Sequence, residues 1–416
     1  MNLRPLILVF AIAAATCIPA GASDWLHEAD KAETWSPAWY SPTFPPTANL
    51  TFNDVRVFDH QTVRQVVPLE AGGNRLRVRL SNALGLAPVM FGAIHVAASS
   101  PNGVTEPQTD QAVLFGGRPD GEIPVGGELL SDPVDLKVKA FETLAVSVYY
   151  PGRLAPSGHL LQLRLSKPGD HTADSVMPFT DIARAPSIVC GVEVEAAPRN
   201  VVVAFGDSIT EGAGATPGMN LSWPQQLALR LAKNRLGKNW TVINAGISGN
   251  RLLYDGAGQR GLDRFDRDAL NMPGLKAVIL LEGINDIGAG STIDSDTGPR
   301  SADDIIGAYK QLIARAHARG VKIYGGTLIP YSGAVYFTAQ GEAVRQAVND
   351  WIRSSGAFDG VVDFDRVMRD PSALAQFIGA FQSGDNLHPN DAGYAAMADA
   401  IDLKMLTDSK PVAAHR

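Results

Sequence analysis

The chain has 416 residues and a mass of 44.1 kDa, a length typical of two domains or one large one. Its hydrophobic content of 45% is ordinary for a globular protein and excludes wholesale disorder. The net charge of -7, without any run of Lys or Arg, argues against a protein that binds nucleic acid by neutralising phosphates, and two cysteines exclude a disulfide-dense scaffold.

The first 22 residues have the pattern of a cleavable signal peptide. Arg4 supplies a positive charge, residues 5–18 form an apolar run too short to cross a membrane, and 20–22 read Ala-Gly-Ala, a small-x-small cleavage site. We therefore expect cleavage after Ala22 and export to the periplasm or the medium, with an uncleaved membrane anchor as the less favoured alternative. Cleavage would remove Arg4 and Cys17, for a mature charge of -7 − 1 = -8. No later run of ~18 apolar residues occurs, so no integral membrane association is expected.

Residues 23–197 alternate between apolar and polar side chains in several short segments, a period typical of strands with one face in a core. Glycine and proline clusters separate these segments, and no convincing helix lies between them. We therefore predict an antiparallel, sandwich-like, all-β domain over 23–197. The alternating segments are 76–80, 136–139, 144–148 and 161–166.

Three arginines, Arg75, Arg77 and Arg79, occupy one face of the first alternating segment. Such a stripe fits either a ligand-binding surface or the solvated face of a strand. Because antiparallel sheets routinely expose one side to water, we favour the solvated face.

The pattern changes at residue 198, where continuous apolar runs begin to alternate with helical patterns. Continuous runs are typical of strands covered on both faces, and their alternation with helices predicts a parallel sheet flanked on both sides. In such sheets, ligands bind beyond the carboxyl ends of the strands. We place this second domain at 198–410. The apolar runs are 201–205, 241–243, 277–281, 321–324 and 361–364.

Two of the predicted helices begin with capping signals. Ser222 is followed at the capping-box position by Gln225, and Ser301 is followed by Asp304. Gly320 is the expected end of the second helix.

The segment at 205–212, Phe-Gly-Asp-Ser-Ile-Thr-Glu-Gly, directly follows the first buried strand. Ser208 therefore lies where the strand ends and a helix begins, with an exposed hydroxyl and a backbone N–H aimed at a developing oxyanion. Serine needs a base to take its proton, and that base needs an orienting acid. Among eight histidines, His388 has the suggestive context, three residues after Asp385. We predict that Ser208, His388 and Asp385 act together.

Two further loops, 244–250 and 283–286, follow predicted strands. Gly249 lacks a Cβ and can bring a backbone N–H close to a substrate, and Asn285 offers a side-chain NH2 donor. With the N–H of Ser208 these groups make three donors for an oxyanion, each worth ~3 kcal/mol of transition-state stabilisation.

These four segments, taken in order, resemble the sequence blocks of the SGNH, or GDSL-type, hydrolase superfamily. The resemblance implies that Ser208 is the nucleophile, that His388 is the base oriented by Asp385, and that Ser208, Gly249 and Asn285 form the oxyanion hole.

The same resemblance implies a flavodoxin-like, three-layer α/β/α fold over 198–410, with no cofactor and no metal. Ile209 stands where the motif's name has leucine, a conservative departure. The first half looks like the appended β domain in one secreted bacterial branch of these esterases.

Competing enzyme classes lack their motifs in this chain. No His-Glu-x-x-His spacing of a metal-dependent hydrolase and no Gly-x-Ser-x-Gly elbow of an α/β-hydrolase occurs. Asp207 and Asp286 are expected to brace loops, and Cys190 to be a small buried residue.

We therefore predict a secreted serine esterase that works through an acyl-enzyme on short-chain or carbohydrate O-acetyl esters. The alternatives are a lipase or lysophospholipase, and a protein that mainly binds carbohydrate. The expected partner is a small-molecule or polysaccharide ester rather than nucleic acid, and the oligomeric state stays open.

Overall fold

The computed structural model describes residues 34–46, 57–288 and 300–407. The predicted signal peptide, residues 1–22, lies outside the described residues. The described strands pair in two different ways: antiparallel up to Glu195 and parallel in the sheet that begins at Asn200. The predicted boundary between 197 and 198 falls in the connection between these two parts.

The first half is built from short strands without a regular α-helix among its described residues; a single 3-10 turn spans Pro107–Thr109. The strands are β1 (Trp35–Tyr40), β2 (Gln61–Pro68), β3 (Leu76–Ser81), β4 (Val89–Phe91), β5 (Ile94–Ala98), β6 (Gln111–Ala112), β7 (Gly121–Ile123), β8 (Glu128–Leu130), β9 (Thr143–Tyr150), β10 (His159–Pro168), β11 (Phe179–Ser187) and β12 (Val189–Glu195).

Two antiparallel sheets share one hydrophobic core in this half. One has the order β1-β12-β3-β8 and the other the order β11-β10-β2-β9-β5-β6, while β4 and β7 form a separate pair. Val78 from the first sheet and Val146 and Leu163 from the second enter the same core and are fully buried. The alternation in the sequence thus corresponds to one buried face per strand, and the predicted all-β domain is confirmed.

One predicted strand of this half is wrong. Segment 136–139 makes only one isolated bridge, Val138 with Gly73, although its apolar side chains are buried as expected. Pro133 has no N–H to donate, which interrupts the ladder next to β8.

The arginine stripe on β3 is an ion-paired face. Arg77 and Arg79 each contact Glu193 on the neighbouring strand β12, at 2.6 and 2.7 Å, and Arg75 contacts Glu195 at 2.7 Å. These side chains are partly exposed, which agrees with the favoured interpretation of a solvated strand face.

The second half alternates strands and helices. Its strands are β13 (Asn200–Gly206), β14 (Trp240–Gly246), β15 (Leu275–Leu281), β16 (Lys322–Gly326) and β17 (Gly360–Val362), with a hairpin of β18 (Arg369–Asp370) and β19 (Ala373–Phe377). Its helices are α1 (Ser208–Glu211), α2 (Trp223–Lys233), α3 (Gly261–Phe265), α4 (Ile284–Gly288), α5 (Ala302–Ala318), α6 (Ala339–Ser354), α7 (Phe364–Met368), α8 (Asp391–Asp399) and α9 (Leu403–Thr407). A π-helical turn, Asp266–Leu270, continues α3, and a 3-10 turn spans Gly379–Phe381.

The parallel sheet has the order β14-β13-β15-β16-β17, which is the 2-1-3-4-5 order of flavodoxin-like folds. Helix α2 packs with α8, while α5 packs with α3 and α6, so helices cover both faces of the sheet. The strand order reverses between β13 and β15, and their carboxyl ends open a crevice there. The predicted three-layer fold is confirmed.

The two predicted helix starts differ in the structure. Ser301 and Asp304 form the full capping box at the start of α5. At α2, however, the Ser222 hydroxyl donates to the side chain of Gln225 and caps no backbone N–H. The last strand of the parallel sheet, β17, also stops earlier than predicted, because Asp363 caps α7 by accepting the N–H of Arg366.

The two halves are in direct contact, and residues from Trp35 onward form one compact unit. The Tyr40 hydroxyl donates to Asp268 Oδ1 at 2.8 Å, and Phe44 and Leu160 pack on Ile247. Within the described ranges, no helix is both long enough and apolar enough to span a membrane.

Candidate active site

Ser208 is the first residue of the one-turn helix α1, directly after β13. Asp207 precedes it as the N-cap, and its Oδ1 accepts the N–H of Ile209 at 2.9 Å. Gly212, with φ of 114°, ends the helix after a single turn. Because the first N–H groups of a helix have no intrahelical acceptor, the N–H of Ser208 is free to face an anion.

The structure brings Ser208, His388 and Asp385 together in a continuous chain of hydrogen bonds. His388 Nε2 lies 2.8 Å from Ser208 Oγ, and His388 Nδ1 lies 2.6 Å from Asp385 Oδ2. Asp385 Oδ1 also accepts the backbone N–H groups of Leu387 and His388, both at 2.9 Å. This tight turn fixes the carboxylate and the imidazole relative to each other.

Asp385 remains ionised in this arrangement. Partial burial raises the pKa of its carboxyl, but the hydrogen bonds from the His388 ring and from the N–H groups of His388 and Leu387 outweigh burial and hold the pKa well below its usual range. A carboxylate can only accept, so Nδ1 of His388 carries a proton and Nε2 presents its lone pair to Ser208.

Gly249 lies in the loop that follows β14. Its φ is 76°, in the left-handed region, and a Cβ at this position would lie 2.9 Å from the Cβ of Ala257. Only glycine fits both the backbone conformation and the contact.

Asn285 is the second residue of α4, the short helix after β15, and both polar atoms of its amide are hydrogen-bonded. Nδ2 donates to the Asn250 carbonyl at 2.9 Å, and Oδ1 accepts from the Tyr336 hydroxyl at 3.2 Å. The Nδ2 group has two hydrogens, so one remains for an oxyanion.

Arg264 lies beneath these loops and was not singled out from the sequence. Its buried guanidinium donates to the carbonyls of Gly206 and Ala245, both at 2.8 Å, and to Asn250 Oδ1 at 2.7 Å. It thereby ties together the ends of β13 and β14 and the loop that carries Gly249. Nothing in the local sequence marks Arg264 as different from a surface arginine, and only its burial shows its role.

A sequence profile of the GDSL-like lipase/acylhydrolase family matches residues 204–396, which contain every predicted site residue. Residues 204–396 belong to the GDSL-like lipase/acylhydrolase family. The chain therefore contains a hydrolase domain of this family, preceded by a β-rich region. No curated protein matches the chain.

Several solved structures resemble the GDSL-like half. One is a catalytic mutant of an acetylxylan esterase from Geobacillus stearothermophilus, with 19% identity, a TM-score of 0.40, and coverage of 51% of this chain and 95% of that one. A GDSL-like lipase from Bacteroides thetaiotaomicron has 21% identity, a TM-score of 0.36, and coverage of 51% and 93%. The native aryl esterase of M. smegmatis has 17% identity, a TM-score of 0.38, and coverage of 50% and 97%.

The two acids next to the site motifs brace loops in the GDSL-like domain, as predicted. Asp286 accepts the backbone N–H groups of Leu252 and Leu253, at 2.8 and 3.0 Å, and Asp207 caps α1. Burial raises the pKa of Asp286 to about 6 and raises that of Asp207 as well.

Other candidate groups lie away from the triad. Cys190 is buried and free, and burial raises the pKa of its thiol, which agrees with the predicted role of a small buried residue. In the part of the chain that the structure describes, no group of His, Cys, Asp and Glu side chains has the arrangement of a metal site.

Proposed function

We propose that this GDSL-like hydrolase is a serine esterase that works through an acyl-enzyme formed on Ser208. The observation that carries the proposal is the hydrogen-bond chain from Asp385 through His388 to Ser208 Oγ. This is the arrangement that converts a serine hydroxyl into a nucleophile.

In the first step, His388 Nε2 takes the Ser208 proton while Oγ attacks the ester carbonyl carbon. The carbonyl oxygen becomes an oxyanion facing the N–H groups of Ser208 and Gly249 and the free amide hydrogen of Asn285. The imidazolium stays next to the Asp385 carboxylate. It then gives its proton to the departing alkoxide, which leaves as the alcohol.

In the second step, His388 takes a proton from water, and the hydroxide attacks the acyl carbon. The oxyanion collapses, the bond to Ser208 Oγ breaks, and the serine recovers its proton from His388. Apart from the ester and one water molecule, both steps use only groups of this chain.

We propose short-chain or carbohydrate O-acetyl esters as the substrates. The turn that presents His388 exposes polar groups, with Ser383 and Asp385 both exposed. Asn285 and Tyr336 are buried and hydrogen-bonded to each other. Exposed polar groups on the His388 turn, together with tightly packed residues at the predicted oxyanion hole, suit a small acyl group on a hydrophilic alcohol better than a long lipid chain.

Hydrolysis of p-nitrophenyl acetate by the wild type and by Ser208→Ala and His388→Ala tests the reaction. Each substitution should lower kcat to background, with an unchanged circular dichroism spectrum and thermal unfolding midpoint. Ser248→Ala is the matched control, because it removes the hydroxyl of a neighbouring serine that the proposed reaction does not use. This variant should keep the wild-type kcat. Wild-type activity in Ser208→Ala would reject the proposal.

The substrate class is tested with p-nitrophenyl esters of increasing chain length, together with acetylated xylan and lysophosphatidylcholine. We expect kcat/KM to be highest for acetyl and to fall with chain length, and acetate to be released from xylan. A preference for long acyl chains or for lysophosphatidylcholine would reject the deacetylase assignment and favour a lipase.

We further propose that the chain is exported with cleavage after Ala22, on the basis of the charged, apolar and small-residue segments of its first 22 residues. Expression of the full chain in a bacterial host, followed by mass spectrometry of the product, should give a mature N-terminus at Ser23. A product that retains Met1 and stays inside the cell would contradict export.

A further inference from the structure

Glu211 connects the nucleophile helix to the loop that carries Gly249. It is the last residue of α1, and its Oε2 accepts the backbone N–H of Ser248 at 2.5 Å. Ser248 directly precedes Gly249 in the chain. The orientation of the Gly249 peptide therefore depends on where the Glu211 carboxylate sits.

Two side chains of the β domain hold the other oxygen of this carboxylate. His159 Nε2 and Arg184 Nη2 each lie 3.3 Å from Glu211 Oε1. His159 is 3% exposed, and its Nδ1 faces the Pro42 carbonyl at 3.0 Å. A carbonyl and a carboxylate can only accept hydrogen bonds, so the ring nitrogens of His159 face two acceptors, one in each half of the chain.

The balance of charges keeps Glu211 ionised. Burial raises the pKa of its carboxyl, but the contacts with His159, Arg184 and the Ser248 N–H outweigh burial and lower the pKa to about 2. Glu211 is partly buried, with 22% of its side chain exposed, so a carboxylate that lost these contacts would take up a proton more easily or move toward water. Either change would weaken its bond to Ser248.

The apolar side of the same loop also rests on the β domain. Ile247, the residue before Ser248, is fully buried against Phe44 and Leu160. Phe44 in turn packs edge-on against the His159 ring, with 4.8 Å between the ring centroids. The β domain therefore contacts the loop directly through Ile247 and indirectly through Glu211.

We propose that His159 and Arg184 are positioning residues for the oxyanion hole, so that the β domain contributes to catalysis by orienting a backbone N–H donor. They hold the Glu211 carboxylate, Glu211 holds Ser248, and Ser248 sets the direction of the Gly249 N–H. This inference rests on the proposed esterase function, because it assigns Gly249 to the oxyanion hole of that reaction.

The test compares Arg184→Met with Arg184→Lys in the full chain, using p-nitrophenyl acetate. Methionine keeps much of the stem and removes the charge, whereas lysine keeps the charge. A donor misplaced by about 1 Å can cost on the order of 100-fold in rate, so we expect Arg184→Met to lower kcat about tenfold or more. KM should stay within about twofold, since the donors act on the transition state. Lysine should restore most of kcat.

His159→Phe provides a second variant, because phenylalanine keeps the packing on Phe44 and removes the ring nitrogens that contact Glu211 and the Pro42 carbonyl. We expect the same loss in kcat, and a further loss when it is combined with Arg184→Met. Arg77→Met is the matched control: this arginine also pairs with a glutamate in the β domain, Glu193, and should leave kcat unchanged.

Inhibition by phenylboronic acid, which forms a tetrahedral adduct with a serine hydroxyl, separates positioning from general structural damage. In the variants its affinity should fall in parallel with kcat, while the thermal unfolding midpoint changes as little as in Arg77→Met. Unchanged kcat in both Arg184→Met and His159→Phe, or equal losses in Arg184→Lys and Arg184→Met, would overturn the inference. Failure of the esterase proposal would show itself separately, as wild-type activity in Ser208→Ala.

Discussion

At the scale of single residues, the candidate site depends on an amide side chain that is already hydrogen-bonded through both of its polar atoms. Asn285 has one amide hydrogen on the Asn250 carbonyl and its oxygen on the Tyr336 hydroxyl, which leaves one hydrogen for substrate. An amide fixed in this way keeps its orientation before the substrate arrives. Such preorganised donors stabilise charge at no reorganisation cost.

Replacing this amide should therefore act on the chemical step. We expect Asn285→Ala to lower kcat for p-nitrophenyl acetate by about 100- to 1000-fold with little change in KM, as for other oxyanion-hole donors. Tyr336→Phe, which removes the hydroxyl that holds Oδ1, should give a smaller loss. Steady-state kinetics of both variants measures the difference. An increase in KM with unchanged kcat in Asn285→Ala would place the amide in ground-state binding.

At the scale of secondary-structure elements, one buried arginine joins the strand ends that build the crevice. Arg264 is fully buried, contacts Asp268 and Glu282 at 3.4 Å each, and lies 3.9 Å from the centre of the Phe205 ring. Its remaining N–H groups reach the carbonyl ends of β13 and β14. Removal of one member of this buried cluster leaves the other charged groups without a partner, which lowers the free energy of unfolding.

Arg264→Met should reduce stability and activity together. Removing one partner of a buried ionic cluster costs about 3–5 kcal/mol, because the remaining charges and carbonyls lose their partner. Urea unfolding followed by tryptophan fluorescence should show this loss in the free energy of unfolding. Arg260→Met is the control, since Arg260 pairs with Asp263 at the surface and should cost about 1 kcal/mol or less. Equal costs in the two variants would contradict the assigned role of Arg264.

At the scale of the whole molecule, the β domain and the GDSL-like domain share polar contacts as well as apolar ones. Tyr40 reaches Asp268, and His159 and Arg184 reach Glu211. Glu70 is a further acid in the β domain, 6% exposed, whose Oε2 has no hydrogen-bond partner among the described residues. Burial raises the pKa of its carboxyl to about 8, against the lowering effect of Asn220 in the GDSL-like domain.

This pKa makes stability depend on pH. The folded pKa of Glu70 lies above its ordinary value of 4.5, so the stability that the protonated group provides is present below pH 4.5 and is lost as the pH rises toward 8. Glu70→Gln keeps the shape and cannot ionise. We expect the variant to gain stability relative to the wild type between pH 5 and pH 8, by a few kcal/mol at about 1.4 kcal/mol per pKa unit.

Thermal unfolding midpoints of the wild type and of Glu70→Gln, measured at pH 5 and pH 8, check this prediction. Glu142→Gln is the control. Glu142 is exposed, and its pKa is lowered by hydrogen bonds from Lys139, so its replacement should give no gain over this range. A difference between Glu70→Gln and the wild type that stays constant with pH would show that Glu70 is not buried as a neutral acid.

Periodicity and motif position were sufficient to predict most of the fold and the three members of the hydrogen-bonded chain. The alternation at 161–166 indicates a strand that is buried on one face, and the continuous apolar run at 201–205 indicates a strand that is buried on both faces. The buried faces decide where each strand lies in the fold. The predictions failed where a single residue competed with the pattern. Pro133 broke the ladder beside 136–139, and Asp363 turned the end of 361–364 into a helix cap.

The sequence by itself determined which residues stand at the ends of strands, because local order along the chain places Ser208, Gly249 and Asn285 after apolar runs. Only the tertiary structure decided what surrounds them. Arg264 has no local signal, since an arginine is usually a surface residue and its burial depends on partners distant in sequence. The contact between Glu211 and Arg184 joins two domains, and no pattern within either domain encodes it.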